Sequence, residues 1–154
     1  MRLSTKSRYG VRAIFDIAYH SGGLPTQIKE ISRRQGITPR YLEQIFQKLK
    51  RAGIVKSIRG PKGGYYLNRK PEKIAVSDVI RAMEESMEPV FCARLAKGRK
   101  KCRRESHCTA QLIWREAGQR ISEYFDSVSI EKMCKMAKDL GIEKQLNHRF
   151  MYFI

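Results

Sequence analysis

The chain predicts a mainly α fold with one small β-hairpin, and three stretches of its 154 residues predict it. Between Thr38 and Arg51, Leu42, Ile45, Phe46 and Leu49 recur at i, i+3, i+4 and i+7, the stripe of an amphipathic helix. Directly after it, Ile54–Arg59 and Tyr65–Leu67 read as strands flanking the basic, glycine-rich turn Gly60-Pro61-Lys62-Gly63-Gly64. From Thr109 onward, Ala110, Trp114, Ala117, Ile121, Tyr124 and Val128 follow the 4-3-4-3-4 spacing of a coiled-coil seam. A winged helix-turn-helix followed by a long dimerisation helix accommodates all three.

The elements follow in order. Ser7 to His20 predict the first helix, with Val11, Ile14, Phe15, Ile17 and Ala18 inward. Ser21-Gly22-Gly23-Leu24-Pro25 breaks it, and Thr26 is placed to cap a short helix ending near Arg34, with Ile28 and Ile31 inward. Gly36-Ile37 forms the next turn. Thr38 suits an N-cap and Pro39 the first helical position, where no amide hydrogen is needed; Gly53 ends that helix. Beyond the hairpin, Asn68-Arg69-Lys70-Pro71 reads as a turn and Ile74 to Val76 as a brief strand. Ser77 is placed to cap a helix from Asp78 to about Ser86, with Val79, Ile80 and Met83 inward. Residues 87–108 lose periodicity. After the long helix, another is expected from about Ile130 to Leu140, then the apolar tail Phe150-Met151-Tyr152-Phe153-Ile154. The expected division is a winged unit over 1–86, a cysteine-bearing loop over 87–108, and a dimerisation helix, last helix and tail over 109–154.

Composition narrows the partners. A formal net charge of +17, from 32 Lys+Arg against 15 Asp+Glu, favours a polyanion: DNA, RNA or an acidic membrane surface. No apolar run approaches the roughly 20 residues of a membrane span. No apolar h-region follows Met1-Arg2-Leu3-Ser4-Thr5-Lys6, so a cytoplasmic protein is expected. No base–nucleophile constellation or phosphate loop points to an enzyme.

The outward face of the Thr38–Arg51 helix carries Arg40, Glu43, Gln44, Gln47, Lys48 and Arg51. In a major groove, Glu43 suits the exocyclic amine of cytosine, Gln44 suits adenine, and Arg40 suits guanine or a phosphate. Tyr41 joins this DNA-facing set. Lys48, Lys50, Arg51 and Lys56 suit phosphates, which position without specifying. Arg59 and Lys62, on the wing, suit the adjacent minor groove. Any one of these is as readily a solvated charge; the helix and wing together point to double-stranded DNA.

Four cysteines stand at Cys92, Cys102, Cys108 and Cys134, and a disulfide scaffold would need an oxidising compartment. The first three form C-x9-C-x5-C in the aperiodic segment, a donor set suited to an iron–sulfur cluster, 2Fe–2S or 4Fe–4S, or to zinc. Arg94, Lys97, Arg99, Lys100, Lys101, Arg103 and Arg104 would partly offset the charge of an anionic cluster. The alternative is a basic loop with incidental thiols, used for phosphate contact. His107 and Glu105 are the local candidates for a fourth ligand, although His107 adjoins Cys108, an awkward placement for two ligands of one ion. Cys134 shares a helical face with Ile130, Met133 and Ala137 and reads as a buried apolar residue. His20 and His148 have no supporting neighbours in the sequence.

Three runs carry a resemblance: Met1 to Gly10, Ile37 to Ile45, and Ser57 to Tyr65. Together they resemble the IscR, NsrR, CymR and RirA family of bacterial winged-helix transcription regulators, closely to about residue 86 and loosely beyond. The resemblance implies a homodimer held by the long helix on a pseudo-palindromic operator. It also implies that an iron–sulfur cluster on Cys92, Cys102 and Cys108 controls DNA binding. Gln111 stands where the family's iron–sulfur biogenesis regulator has a histidine, and Arg8 where its nitric-oxide sensor has an acidic ligand. The first two cysteines are also further apart than in the best-known members. The function expected is a cluster-controlled repressor sensing redox state, nitric oxide or iron and sulfur status. The alternatives are a winged-helix regulator with a structural zinc or metal-free thiol loop, and an electron-transfer or cluster-delivery protein. The last leaves Glu43, Gln44 and the wing unexplained.

Overall fold

The computed structural model describes residues 3–93 and 102–146 and places among them six α-helices and one two-stranded antiparallel sheet. The helices are α1 (Thr5–His20), α2 (Ile28–Gln35), α3 (Pro39–Arg51), α4 (Val76–Ala82), α5 (Thr109–Ser127) and α6 (Ile130–Asp139). The strands β1 (Val55–Ile58) and β2 (Gly64–Leu67) pair with Val55 opposite Leu67 and Ile58 opposite Gly64. The mainly α winged helix-turn-helix is therefore as the sequence predicts. Five cations of the thiol segment (Arg94, Lys97, Arg99, Lys100 and Lys101), His148 and the apolar tail lie outside the described residues.

Local chemistry explains most boundaries. α1 starts earlier than its periodicity because Ser4 is its N-cap, its hydroxyl accepting from the Ser7 amide at 3.4 Å. Gly36, at φ 63°, closes α2 in the left-handed conformation and turns the chain into α3. Thr38 occupies the cap position of α3 and Pro39 its first turn, but the Thr38 hydroxyl makes no capping bond. Its carbonyl instead receives the amides of Tyr41 and Leu42, both at 3.1 Å.

Two capping expectations fail for one reason, a competing long-range partner. Thr26 does not cap α2; its backbone exchanges two 2.8 Å hydrogen bonds with Tyr65, an isolated antiparallel bridge beside the wing. Gly64 permits this approach, since a Cβ there would lie 2.4 Å from the Thr26 carbonyl oxygen. Ser77 lies buried inside α4 rather than capping it, its hydroxyl donating to Asp126 of α5 at 2.5 Å. The Asp78 carboxylate receives the Ala75 amide at that end, at 3.2 Å.

The core gathers Ala13, Ile14 and Ile17 of α1, Ile31 of α2, and Leu42, Ile45, Phe46 and Leu49 of α3, with Ile54, Ile74 and Ile130. Each fully buried Ile, Leu or Phe side chain among them contributes about 1.5–3 kcal/mol. The strand expected at Ile74 to Val76 forms as a single bridge, Ala75 to Ser129. Val76 donates to Val128 and Ile130 to Ile74, both at 2.9 Å, which returns α6 to pack on α1. Val128, expected on the coiled-coil seam, turns inward and packs with Val76, Ile80 and Met87. Ala110, Trp114 and Tyr124 of that seam stay exposed, and Ile113, which the spacing missed, is 62% exposed beside them. No helix among the described residues is long and apolar enough to cross a membrane.

Candidate functional site

α3 lies with Leu42, Ile45, Phe46 and Leu49 buried, so the 3.6-residue period turns Arg40, Glu43, Gln44, Gln47 and Arg51 to solvent. The wing stands beside this face. Phe46 stacks on Tyr65 of β2 with ring centroids 4.4 Å apart. Lys50 donates to the Ser57 hydroxyl at 2.8 Å. Gln27 donates to the Pro61 carbonyl at 3.1 Å and holds the wing turn. Helix and wing thus form one rigid surface carrying exposed Lys56, Arg59 and Lys62. Glu43 stands at their junction: its carboxylate, after burial, helps push the Tyr65 phenol above its ordinary pKa.

Tyr41 and Lys48, of the expected DNA-facing set, also have partners within the fold. Tyr41 is half-buried, its ring edge-on to Tyr9 with centroids 5.8 Å apart. Lys48 donates to Glu84 at 2.5 Å and holds that carboxyl below its usual range. The Lys48 ammonium is therefore already engaged by a carboxylate.

What aims this surface is an ion pair that the sequence reading missed. Asp16 of α1 is fully buried and accepts from Arg34 Nε at 3.1 and 3.0 Å, from Arg34 Nη2 at 2.7 Å, and from Gln35 at 2.9 Å. Arg12 donates to the Gln35 carbonyl as well. These contacts fix α2, and through the short turn α3, against α1. The available signal was a lone carboxylate bordering an apolar stripe, with two arginines ending the next helix. His20 was also read as unsupported. It is buried, and its Nδ1 accepts from the Gln145 amide at 3.0 Å.

The thiol segment leaves α4 and returns to α5. Cys92 lies in a short 3-10 turn, Phe91–Ala93, and Cys108 stands at the N-cap of α5. Both are half-buried, Cys102 is exposed, and all four cysteines are free thiols. Among the described residues no three metal-capable side chains stand close enough to hold one ion, so this structure does not gather the thiols. The donor chemistry still fits a thiophilic metal or cluster: three thiols, two of them flanking the start of one helix, with exposed Arg103 and Arg104 beside them. Of the fourth-ligand candidates, the Glu105 carboxylate is engaged by Arg115 at 3.2 Å. His107 is exposed, with Nδ1 2.7 Å from the Ser106 hydroxyl. Gln111 is buried, and its side-chain amide donates to the Cys92 carbonyl at 2.6 Å. Cys134 is half-buried against the core, and burial pushes its thiol pKa up.

Known proteins place the chain. Residues 3–136 match a family model described as Rrf2, iron-dependent transcriptional regulator. The HTH-type transcriptional regulator IscR of Aliivibrio salmonicida is 42% identical over 133 residues, covering 86% of this chain and 77% of that one. IscR of Xenorhabdus nematophila is 39% identical over 142 residues, covering 92% and 84%. Among solved structures, T. potens IscR superposes with a TM-score of 0.73 at 35% identity, covering 99% of this chain and 97% of that one. CymR, the global cysteine regulator of B. subtilis, superposes with a TM-score of 0.70 at 32% identity, covering 88% and 98%. These relatives are transcription regulators rather than enzymes. The chain belongs to the Rrf2 family of transcriptional regulators.

Proposed function

We propose that the chain is a cytoplasmic, homodimeric repressor that reads a double-stranded DNA operator and holds an iron–sulfur cluster on Cys92, Cys102 and Cys108. The observation that carries this is the joining of two features by one segment. An exposed polar helix face lies beside a basic wing, and three free thiols lie between that unit and α5. In this reading residues 1–86 bind DNA, 87–108 hold the cluster, and 109–154 dimerise. Glu43 and Gln44 read base edges; Arg40, Arg51, Lys56, Arg59 and Lys62 hold phosphates or enter the minor groove. Lys48 reaches phosphate by leaving Glu84, and Tyr41 stiffens the start of the reading helix through Tyr9. Ala110, Ile113, Trp114, Ala117 and Tyr124 give α5 an apolar outer stripe, which a second copy would cover, setting two reading helices on one operator. A bound cluster would supply a redox-sensitive tether and a change of charge between the DNA-binding unit and the dimer helix.

The test is anaerobic purification with an absorption spectrum, iron and sulfide analysis, and operator titration of the loaded, stripped and Cys102→Ala proteins. A visible charge-transfer band with matching iron and sulfide, and an operator affinity that differs between loaded and Cys102→Ala protein of equal thermal stability, is expected. A colourless zinc protein would make the thiols a structural knot. Equal operator affinity in all three forms would end the idea that the thiol segment regulates binding.

A further inference from the structure

Gln111 is only 3% exposed, in the first turn of α5, and it is the one polar side chain of that helix in the buried class. A buried amide without partners costs about 1–3 kcal/mol, so its bonding shows what it serves. Its side-chain Nε2 donates to the carbonyl of Cys92 at 2.6 Å, and its backbone amide donates to the carbonyl of Cys108 at 3.2 Å. One residue therefore bonds both thiol-bearing residues at the two ends of the excursion. The arm bearing Cys92 lies flat along α5 below this point. Ala93 is 1% exposed, and a Cβ on Gly118 would lie 3.1 Å from Pro89 Cδ and 3.3 Å from Glu88 Cα. A leucine would fill the Gln111 site with higher helix propensity and no amide to satisfy, so packing alone does not account for a glutamine.

We infer that Gln111 is a positioning residue for the thiol site: it latches the Cys92 arm to the start of α5 so that Cys92 and Cys108 can serve one metal group. The inference rests on the thiol site proposed above and adds the residue that sets its geometry. Gln111 touches no metal in this role and acts through Cys92.

The test uses cadmium ion as the probe on the full-length, metal-free, reduced protein, because its thiolate charge-transfer band reports how many thiolates bind it. The parent is expected to show a three-thiolate band. Gln111→Leu should bind cadmium about 10–100-fold more weakly, the usual loss when an orienting partner of a ligand is removed. Its band should fall to that of Cys92→Ala. The decisive reading is non-additivity: Cys92→Ala/Gln111→Leu should be no weaker than Cys92→Ala alone, which an independent structural role for Gln111 would not produce. A parental band and affinity in Gln111→Leu, or additive losses, overturns the latch. If Gln111→Leu loses its cooperative melting transition, Gly118→Val decides in its place, by wedging the same arm away from α5. The same non-additive loss supports the latch, and parental binding overturns it. A parent without a three-thiolate band overturns the thiol site itself, and the latch with it, which separates that failure from a failure of Gln111 alone.

Discussion

Asp16→Ala should be the most damaging single change outside the apolar core. It removes a carboxylate with no solvent exposure that accepts three hydrogen bonds from Arg34 and one from Gln35. The Arg34 side chain is itself only 5% exposed, so the variant leaves a guanidinium with neither counter-ion nor water. Breaking a buried pair from one side costs about 3–5 kcal/mol, because desolvation of the surviving charge is no longer offset. With a urea dependence of about 2 kcal/mol per molar, the unfolding midpoint should fall by roughly 2 M. The melting temperature should fall by roughly 6–20 °C. Asp16→Leu combined with Arg34→Met removes both charges and should recover most of the loss. Since the pair fixes α2 and hence α3, Asp16→Ala should also bind the operator more weakly under conditions where it remains folded. Urea unfolding followed by circular dichroism measures the stability term. A loss under about 1 kcal/mol for Asp16→Ala, or a double variant less stable than the single, would refute the reasoning.

Arg59→Ala should weaken binding to all DNA sequences alike and lower the salt slope of operator binding by about one. Gln44→Ala should instead cost about 1–3 kcal/mol at one base pair and little elsewhere. Titrations at several salt concentrations separate the two, and an unchanged slope for Arg59→Ala would take the wing off the DNA. Ile113→Glu and Tyr124→Glu place charge on the outer stripe of α5, where the parent residues are 62% and 63% exposed. Each should convert a dimer to monomer in sedimentation velocity, and a dimer of parental strength would assign that stripe elsewhere. His20 supplies a pH dependence. Desolvation lowers its pKa, the carboxylate of Asp16 opposes this, and Arg34 and Lys144 add to the lowering. The folded state thus favours neutral imidazole. Its contribution is complete above the unfolded value of about 6.5 and is lost as pH falls through the lower folded value. Unfolding free energies at several pH values below neutrality should therefore decline less steeply in His20→Gln than in the parent, and parallel curves would remove His20 from the acid response.

The reading helix was the most legible part because its information is local. Four apolar residues at helical spacing, a proline at the first turn and glycines after each of two helices fix α3 with no help from distant residues. The hairpin was legible for the same reason. Where the reading failed, a residue's fate was decided by a partner far along the chain. Thr26 and Ser77 carry good capping side chains, but Tyr65 pairs with the Thr26 backbone and Asp126 takes the Ser77 hydroxyl. Asp16 and His20 looked like ordinary members of α1 until Arg34 and the 142–146 segment were placed against them. The thiol segment was legible in chemistry but not in geometry. Cysteine spacing names a donor set, whereas the bond from Gln111 to Cys92 spans 19 residues and follows no period.

In the proposed regulator, the contacts of residues 84–93 would let a thiol site bear on DNA without lying near it. Glu84, at φ 61°, ends the turn after α4 and holds Lys48 of the reading helix. Glu85 accepts from the Ser4 amide at 2.9 Å, at the start of α1. Glu88 and Pro89 lie against Gly118, and Cys92 is bonded to Gln111, both on α5. One short stretch therefore touches α1, α3 and the outer helix in sequence. The Glu84–Lys48 pair is solvent-exposed on the acidic side, with that side chain 79% exposed, so it stabilises little by itself. In the proposed function its weight would lie in competition, since a phosphate and Glu84 would seek the same ammonium group. A weak pair is suited to that role: a shift of the arm too small to disturb the core would still change which anion Lys48 serves. In the proposed regulator, the thiols need not move the reading helix at all; it is enough that they move the carboxylate beside it.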